Sequence, residues 1–180
     1  MIVLGIDPSI VDMGFCIIDG KTVVGYGEIK TKSSNEMHHR LTQIQTEVES
    51  IMDEYKIEHL VIEAPDTWTR KQGRADRLYN PNSMKAEAAL NVDSLMKLSR
   101  VIGIVEAISI YKKIPYHEYK VSKWKGHRTK QQTEVDMCAI YSIPSGKASH
   151  VYDALGITHY FISQKNLERL MVKQEPKNEK

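Results

Sequence analysis

Three acidic residues sit where two strands and a helix would deliver them to one cleft. Asp7 closes the apolar run Ile2 to Ile6, and Glu63 closes the run that starts at His59. Short continuous apolar runs suit strands buried on both faces. If the two strands are parallel neighbours, their ends lie ~4.8 Å apart. Both carboxylates then open at the carboxyl edge of a sheet, where open α/β folds place their sites. The third comes from His150-Val151-Tyr152-Asp153: residues three apart share a helix face, so His150 and Asp153 point the same way. Singly these residues have ordinary uses. An acidic residue after a strand is turn material, and a His–Asp pair near a helix start is a capping device. Together they match hard divalent cations such as Mg²⁺, which take a few carboxylate oxygens and keep several waters. Two such ions ~3.5–4 Å apart clamp the attacking and leaving oxygens of an in-line phosphoryl displacement. Asp7, Glu63 and Asp153 supply the charge for two ions. His150 serves as a ligand, more easily with Mn²⁺, or handles the proton of the attacking water.

The elements that must position these residues follow from pattern. Residues 2–6, 13–18 and 23–29 read as three strands, with Asp19-Gly20 as a tight hairpin turn between the second and third. Ser33-Ser34-Asn35 supplies N-cap chemistry, and Leu41, Ile44, Val48, Ile51 and Met52 predict an amphipathic helix to about Tyr55. His59 to Glu63 is a strand stopped by Pro65, so this strand–helix–strand succession makes a parallel, right-handed crossover. A long helix is predicted from about Ala86 to Tyr111. Its stripe of Asn91, Leu95, Leu98, Ile102, Val105 and Ser109 runs close to heptad spacing. That stripe serves either as packing on the sheet or as a dimer seam, and Val101, Ile104 and Ile108 form a second apolar edge. A short strand runs from Pro115 to near Tyr119, and helices follow at about 129–141 and 148–163. The order β-β-β-α-β-α-β-α-α predicts an α/β fold with one mixed sheet flanked by helices.

At 180 residues the chain has the length of one domain. Residues 1–165 form that domain and 166–180 a polar tail that frays near its end. With 41% hydrophobic and 27% charged residues, disordered and fibrous classes are excluded. The net charge of +2 conceals its distribution. Residues 112–130 carry +6 and residues 66–85 carry +3, which leaves −7 on the remainder. Two basic segments on an acidic body are the footprint of a polyanion-binding protein, although basic loops are also common solvated surface. Arg70, Lys71, Arg74 and Arg77 in the first, with Lys120, Lys123, Lys125, Arg128 and Lys130 in the second, are the candidate contacts. Cys16 and Cys138 have no paired spacing and read as reduced core residues. The N-terminal apolar run is too short for a signal peptide, and no run of 18 apolar residues predicts a membrane span. The expectation is a soluble, cytoplasmic protein.

The segments G-I-D-P-S-I-V-D-M-G-F (5–15), V-I-E-A-P (61–65) and H-V-Y-D-A-L-G-I-T-H (150–159) carry a resemblance. So do L-M-K-L-S-R-V-I-G-I-V (95–105) and I-P-Y-H-E-Y (114–119), in order and spacing. The chain resembles the RuvC-like Holliday junction resolvases of the retroviral-integrase/RNase H superfamily, and most of all the small forms encoded by bacteriophages, over about residues 2–162. The resemblance implies an RNase H-like fold with a five-stranded mixed sheet, three antiparallel strands followed by parallel ones. It implies a homodimer that nicks opposite strands of a four-way DNA junction in a bacterial or phage-infected cell, using two Mg²⁺ or Mn²⁺ ions per site. Asp7, Glu63 and Asp153 would be the metal-binding acids, with His150 at a position where some members have Asp and others His. Lys125 and Lys130 are the best matches for lysines that contact the scissile phosphate, with Lys123 close behind. Asn91, Leu98 and Val105 would form the dimer seam.

One stretch departs from the family pattern. Residues 66–85 are longer and more basic than in cellular resolvases, where an aromatic near the catalytic glutamate probes the junction. Trp68, then Tyr79, are the candidates for that role, and Trp68 serves equally as a packing residue. Branched DNA more broadly is an expected substrate. Two alternatives share the acidic cluster: another RNase H-like nuclease acting on RNA–DNA hybrids or damaged DNA, and a catalytically silent branched-DNA-binding module. The G-I-D-P-S opening is also similar to sugar-kinase and actin-like ATPases, but those need two such domains to enclose a nucleotide, and no phosphate-cradling glycine loop is present.

Overall fold

A computed structural model describes residues 1–65 and 81–174, with only the backbone described at 81–91 and 172–174. Five strands form one sheet in the order β3-β2-β1-β4-β5. The first three are β1 (Ile2–Asp7), β2 (Asp12–Asp19) and β3 (Thr22–Lys30), paired antiparallel. Gly20, with φ of 61°, takes the left-handed turn conformation between β2 and β3. Helix α1 (Met37–Glu54) then crosses over to β4 (His59–Ala64), which pairs parallel with β1. Helix α2 (Pro81–Lys112) leads to β5 (Tyr116–Lys120), parallel to β4. One helical turn, α3 (Val121–Trp124), follows, then α4 (Lys130–Tyr141) and α5 (Ser149–Gln174).

The period-two alternation of the strands sorts side chains between two cores. Leu4, Ile6, Leu60 and Ile62 face α1 and α2, where they meet Ile44, Val48, Met52, Val101, Val105 and Ile108. Val3, Cys16 and Val61 face α4 and α5 and pack with Met137, Val151, Ala154, Leu155, Ile157 and Phe161. Because Asp7 and Glu63 stand an even number of residues from Val3 and Val61, both belong to the α5 face. Alternation thus assigns the two carboxylates to the same side as Asp153.

Helix α5 lies unusually close to the sheet because β1 and β2 carry glycines beneath it. A Cβ on Gly5 would sit 1.7 Å from Oγ1 of Thr158, and one on Gly14 would sit 2.2 Å from the carbonyl oxygen of His150. On the opposite face, buried Arg40 of α1 donates from Nη2 to the Ile10 carbonyl at 2.9 Å and from Nε to Thr31 at 2.8 Å. That pair pins the turn that follows Asp7.

Four expectations are corrected. Helix α1 begins after Glu36, with no side-chain cap, so Ser33-Ser34-Asn35 form a turn and not the cap. The long helix starts at Pro81, where proline suits a first helical position. Helix α5 runs to Gln174, well past the expected end at 163. Val105, read as part of a dimer seam, is fully buried in the core of its own chain. Val101 and Ile108 are buried beside it, so this stretch of the helix turns its apolar residues onto the sheet. Leu98 is half-buried, and the side chain of Asn91 lies outside the described residues. Among the described residues no helix is long and apolar enough to cross a membrane.

Candidate active site

The carboxyl ends of β1 and β4 and the first turns of α5 meet at one point. Asp7 ends β1, Glu63 is the penultimate residue of β4, and Asp153 lies one turn into α5. The neighbouring register pairs Ile6 with Ile62, which sets Asp7 beside Glu63 across the parallel pair. His150 Nδ1 lies 2.8 Å from Oδ2 of Asp7, and its Nε2 lies 3.5 Å from Oδ2 of Asp12. Asp12 is itself held by the Ser9 hydroxyl, which donates to its Oδ1 at 3.0 Å. Asp153 is nearly buried, and Lys125 Nζ donates to its Oδ1 at 2.5 Å. Trp124 Nε1 donates to Oε2 of Glu63 at 3.0 Å.

The electrostatics follow from this crowding. Burial first, then the charges of Asp7 and Asp153, push the Glu63 carboxyl up to about 8, against partial relief from Lys125 and Trp124. Burial also raises Asp7, although its His150 bond opposes the shift. The same bond raises His150 above the usual imidazole range. Three carboxylates thus compete within a partly dehydrated pocket, and each has recruited one donor.

The donor set fits hard divalent cations in chemistry, because its negative charge is mutually repulsive and its ligating atoms are carboxylate oxygens. As the side chains stand, no three His, Cys, Asp or Glu groups among the described residues are arranged to hold an ion. Asp7 is engaged by His150 and Asp153 by Lys125 instead. Cationic side chains occupy part of the electrostatic role that a metal would take.

Basic residues border this cluster unevenly. Lys123, Trp124, Lys125, Gly126, His127 and Arg128 line an open cleft together with Gln132 and Asp136 of α4. Arg128 is partly committed to Asp136 at 3.4 Å. Lys130, at the exposed start of α4, reaches the Ser149 hydroxyl at 3.5 Å, beside His150, while Lys120 is exposed at the end of β5. Lys125 is therefore the lysine that enters the carboxylate cluster, and Lys130 stands at its rim. Trp68, Arg70, Lys71, Arg74, Arg77 and Tyr79 lie outside the described residues. Sequence reasoning missed Trp124 and Asp12. Trp124 lies between two lysines in a basic segment, where nothing in the spacing marks it as the partner of a glutamate 61 residues away.

Comparison with known proteins points one way. The family model described as crossover junction endodeoxyribonuclease RuvC matches residues 3–69. The RuvC crossover junction endodeoxyribonuclease of Cytophaga hutchinsonii is 28% identical over 175 residues, covering 89% of this chain and 76% of that protein. Its counterpart from Shewanella pealeana is 27% identical, covering 91% and 88%. Among solved structures, Thermus thermophilus RuvC in complex with a Holliday junction substrate superposes with a TM-score of 0.71 at 18% identity, covering 92% of this chain and 96% of that one. The yeast mitochondrial Holliday junction resolvase superposes at 0.63 and 11% identity, covering 96% and 83%.

Proposed function

We propose, from the similarity to RuvC proteins and the geometry of the cleft, a structure-specific endonuclease that resolves four-way DNA junctions by metal-dependent paired nicking. The observation that carries the proposal is the convergence of Asp7, Glu63 and Asp153 from three separate elements onto one sheet edge beside Lys125. A purely structural role would not gather three mutually repelling carboxylates where burial already penalises Asp7 and Glu63.

Asp7, Glu63 and Asp153 are the residues that would hold divalent cations, two Mg²⁺ or Mn²⁺ ions per site. Bound there, the ions supply the positive charge and the activated water that phosphodiester hydrolysis needs. The protein's own groups do the rest. His150, in its neutral form, donates from Nδ1 to Asp7 and is placed to accept a proton at Nε2, the nitrogen that faces Asp12. Lys125, once released from Asp153, has the reach to neutralise charge on the scissile phosphate, with Lys130 and Lys123 following the backbone along the basic cleft. Lys120 and Arg128 extend that electrostatic track; Arg70, Lys71, Arg74, Arg77 and Tyr79 are assigned to further DNA contacts, and Trp68 to prying the junction at its crossover.

Paired nicks require two sites, and a homodimer through α2 provides them. Its outward face presents Val92, Leu95 and Met96, then Gly103, then Ile110 and Tyr111, all exposed in the single chain. Gly103 leaves open space beside it, so a second helix can approach closely there. The protein works where the DNA is, in the cytoplasm of a bacterial cell or a phage-infected host.

A synthetic four-way junction incubated with Mg²⁺ or Mn²⁺ tests the proposal. Nicks at symmetry-related positions, abolished in Asp7→Asn and Asp153→Asn while junction binding persists, are expected. Equal cutting of linear duplex, preference for an RNA–DNA hybrid, or activity that survives Asp7→Asn would overturn it.

A further inference from the structure

Glu63 differs from the other two acids of the site in what holds it. Asp7 and Asp153 are each paired with a basic side chain, whereas the donor to Glu63 is a neutral indole. Among the described residues, Trp124 is its single hydrogen-bond partner, and the bond goes to Oε2 alone. The indole is 4% exposed and belongs to the core cluster under α5. Its seat depends on Gly156: a Cβ there would lie 2.4 Å from Cζ3 of the ring. The ring is thus clamped on its apolar side, and its one polar atom is aimed at the end of β4. The next residue, Lys125, reaches Asp153, and its backbone N–H closes the α3 turn on the Val121 carbonyl at 2.9 Å. One helical turn therefore places two successive side chains on two of the three carboxylates.

We propose that Trp124 is the positioning residue of Glu63: its N–H fixes Oε2, and the glutamate is thereby presented to a divalent cation through its other oxygen, with Gly156 providing the seat. The proposal rests on the metal-dependent reading of the site given above. A buried indole N–H needs some acceptor in any fold, and a glycine-made seat for packing alone would ask nothing of the acceptor's orientation. A carboxylate ligand, in contrast, pays for free rotation about its last bond each time it binds a cation, and a donor that removes this freedom raises affinity. Partners that orient metal ligands in this way typically change metal affinity or activity 10–100-fold when removed.

Trp124→Phe keeps the ring and removes the N–H. In calorimetric titration of the DNA-free full chain with Mn²⁺, this variant should bind about tenfold more weakly or worse, with its unfolding midpoint little changed. Junction cleavage should need proportionately more Mn²⁺ to reach half its maximum and should recover at saturating Mn²⁺, an effect that loss of packing alone would not produce. In a Glu63→Gln background the same substitution should add nothing. Unchanged Mn²⁺ affinity in folded Trp124→Phe, or an equal further loss on top of Glu63→Gln, overturns the proposal. Should Trp124→Phe fail to fold, the wild-type chain with ¹⁵N-labelled indoles decides: the Trp124 Nε1–H resonance must broaden on saturable addition of Mn²⁺, and an unperturbed resonance overturns the proposal. A wild type whose Mn²⁺ affinity depends on Trp124 but which cuts no branched DNA would sink the nuclease reading and leave this one standing. A wild type that cuts junctions with affinity indifferent to Trp124→Phe would do the reverse, and a wild type that binds no Mn²⁺ would remove both.

Discussion

Glu63 is the residue on which the energetics of the cleft turn. A carboxyl held near 8 when folded and near its ordinary 4.5 when unfolded binds more protons in the native state between those values. By linkage, its contribution to stability is then fully present below about 4.5 and is lost as pH rises towards 8. Metal-free protein should accordingly show a falling unfolding midpoint across that window, with a shallower fall in Glu63→Gln, as read by calorimetry in buffers of matched ionic strength. Mg²⁺ or Mn²⁺ should flatten the wild-type curve, because a cation favours the ionised carboxylate that burial disfavours. A wild-type slope identical to that of Glu63→Gln would contradict the assignment. Lys125 behaves differently, since it neutralises a nearly buried Asp153. Lys125→Ala should lower cleavage more than junction binding, which parallel single-turnover and gel-shift measurements would separate. Equal losses in both would make Lys125 an ordinary backbone contact.

At the scale of elements, the site depends on how closely α5 approaches β1 and β2. The first turn of α5 rests on Gly14, which pairs with Asp7 across the β1–β2 ladder. A methyl group there would meet the His150 backbone, so Gly14→Ala must lift the helix start or distort the strand. Overpacking of this kind costs about 1–3 kcal/mol. Because His150 and Asp153 ride on that turn, the expected signature is a loss of cleavage beyond what the loss of stability explains, measured at a temperature where the variant stays folded. Gly25, on β3 away from these acids, would meet the far end of the Tyr55 ring and the Ile17 side chain. Gly25→Ala should therefore cost stability without that disproportionate loss. Helix α2 is divided along its length: Val101, Val105 and Ile108 pack on the sheet, while Val92 and Met96 face outward. The predicted stripe itself spans both surfaces, since Leu95 is exposed and Val105 is buried.

For the whole molecule, association and charge are the testable properties. Met96→Glu or Leu95→Glu should dissociate the proposed homodimer without unfolding it, since both side chains are exposed in the single chain. Sedimentation at micromolar concentration would show a monomer, and junctions would then receive unpaired nicks. Val105→Glu, by contrast, should unfold the chain, because a charge would enter the core of one protomer. A wild-type protein that is already monomeric at that concentration would discard the dimer. The basic cleft makes a further demand: junction affinity should fall steeply with salt, and Lys123→Ala or Lys130→Ala should each reduce the slope by about one unit if the side chain neutralises one phosphate.

Much of this was legible from local pattern. Apolar runs broken by Asp7 and Pro65, the hairpin at Asp19-Gly20 and the three-residue spacing of His150 and Asp153 identified the strands, their order and the acidic cluster. Backbone periodicity is a local property, so a linear chain displays it openly. The N-cap of α1, the true length of α5 and the fate of Val105 were not legible, since each depends on what packs against the element. Trp124 is the sharpest case. Its position between Lys123 and Lys125 suggests an exposed loop, yet the ring is buried against α5, where the missing Cβ at Gly156 makes room for it. Residue types and spacing determined which acids could share a cleft. Contact between distant segments decided which donors hold each acid, because hydrogen bonds across 61 or 143 residues exist only once the layers have closed.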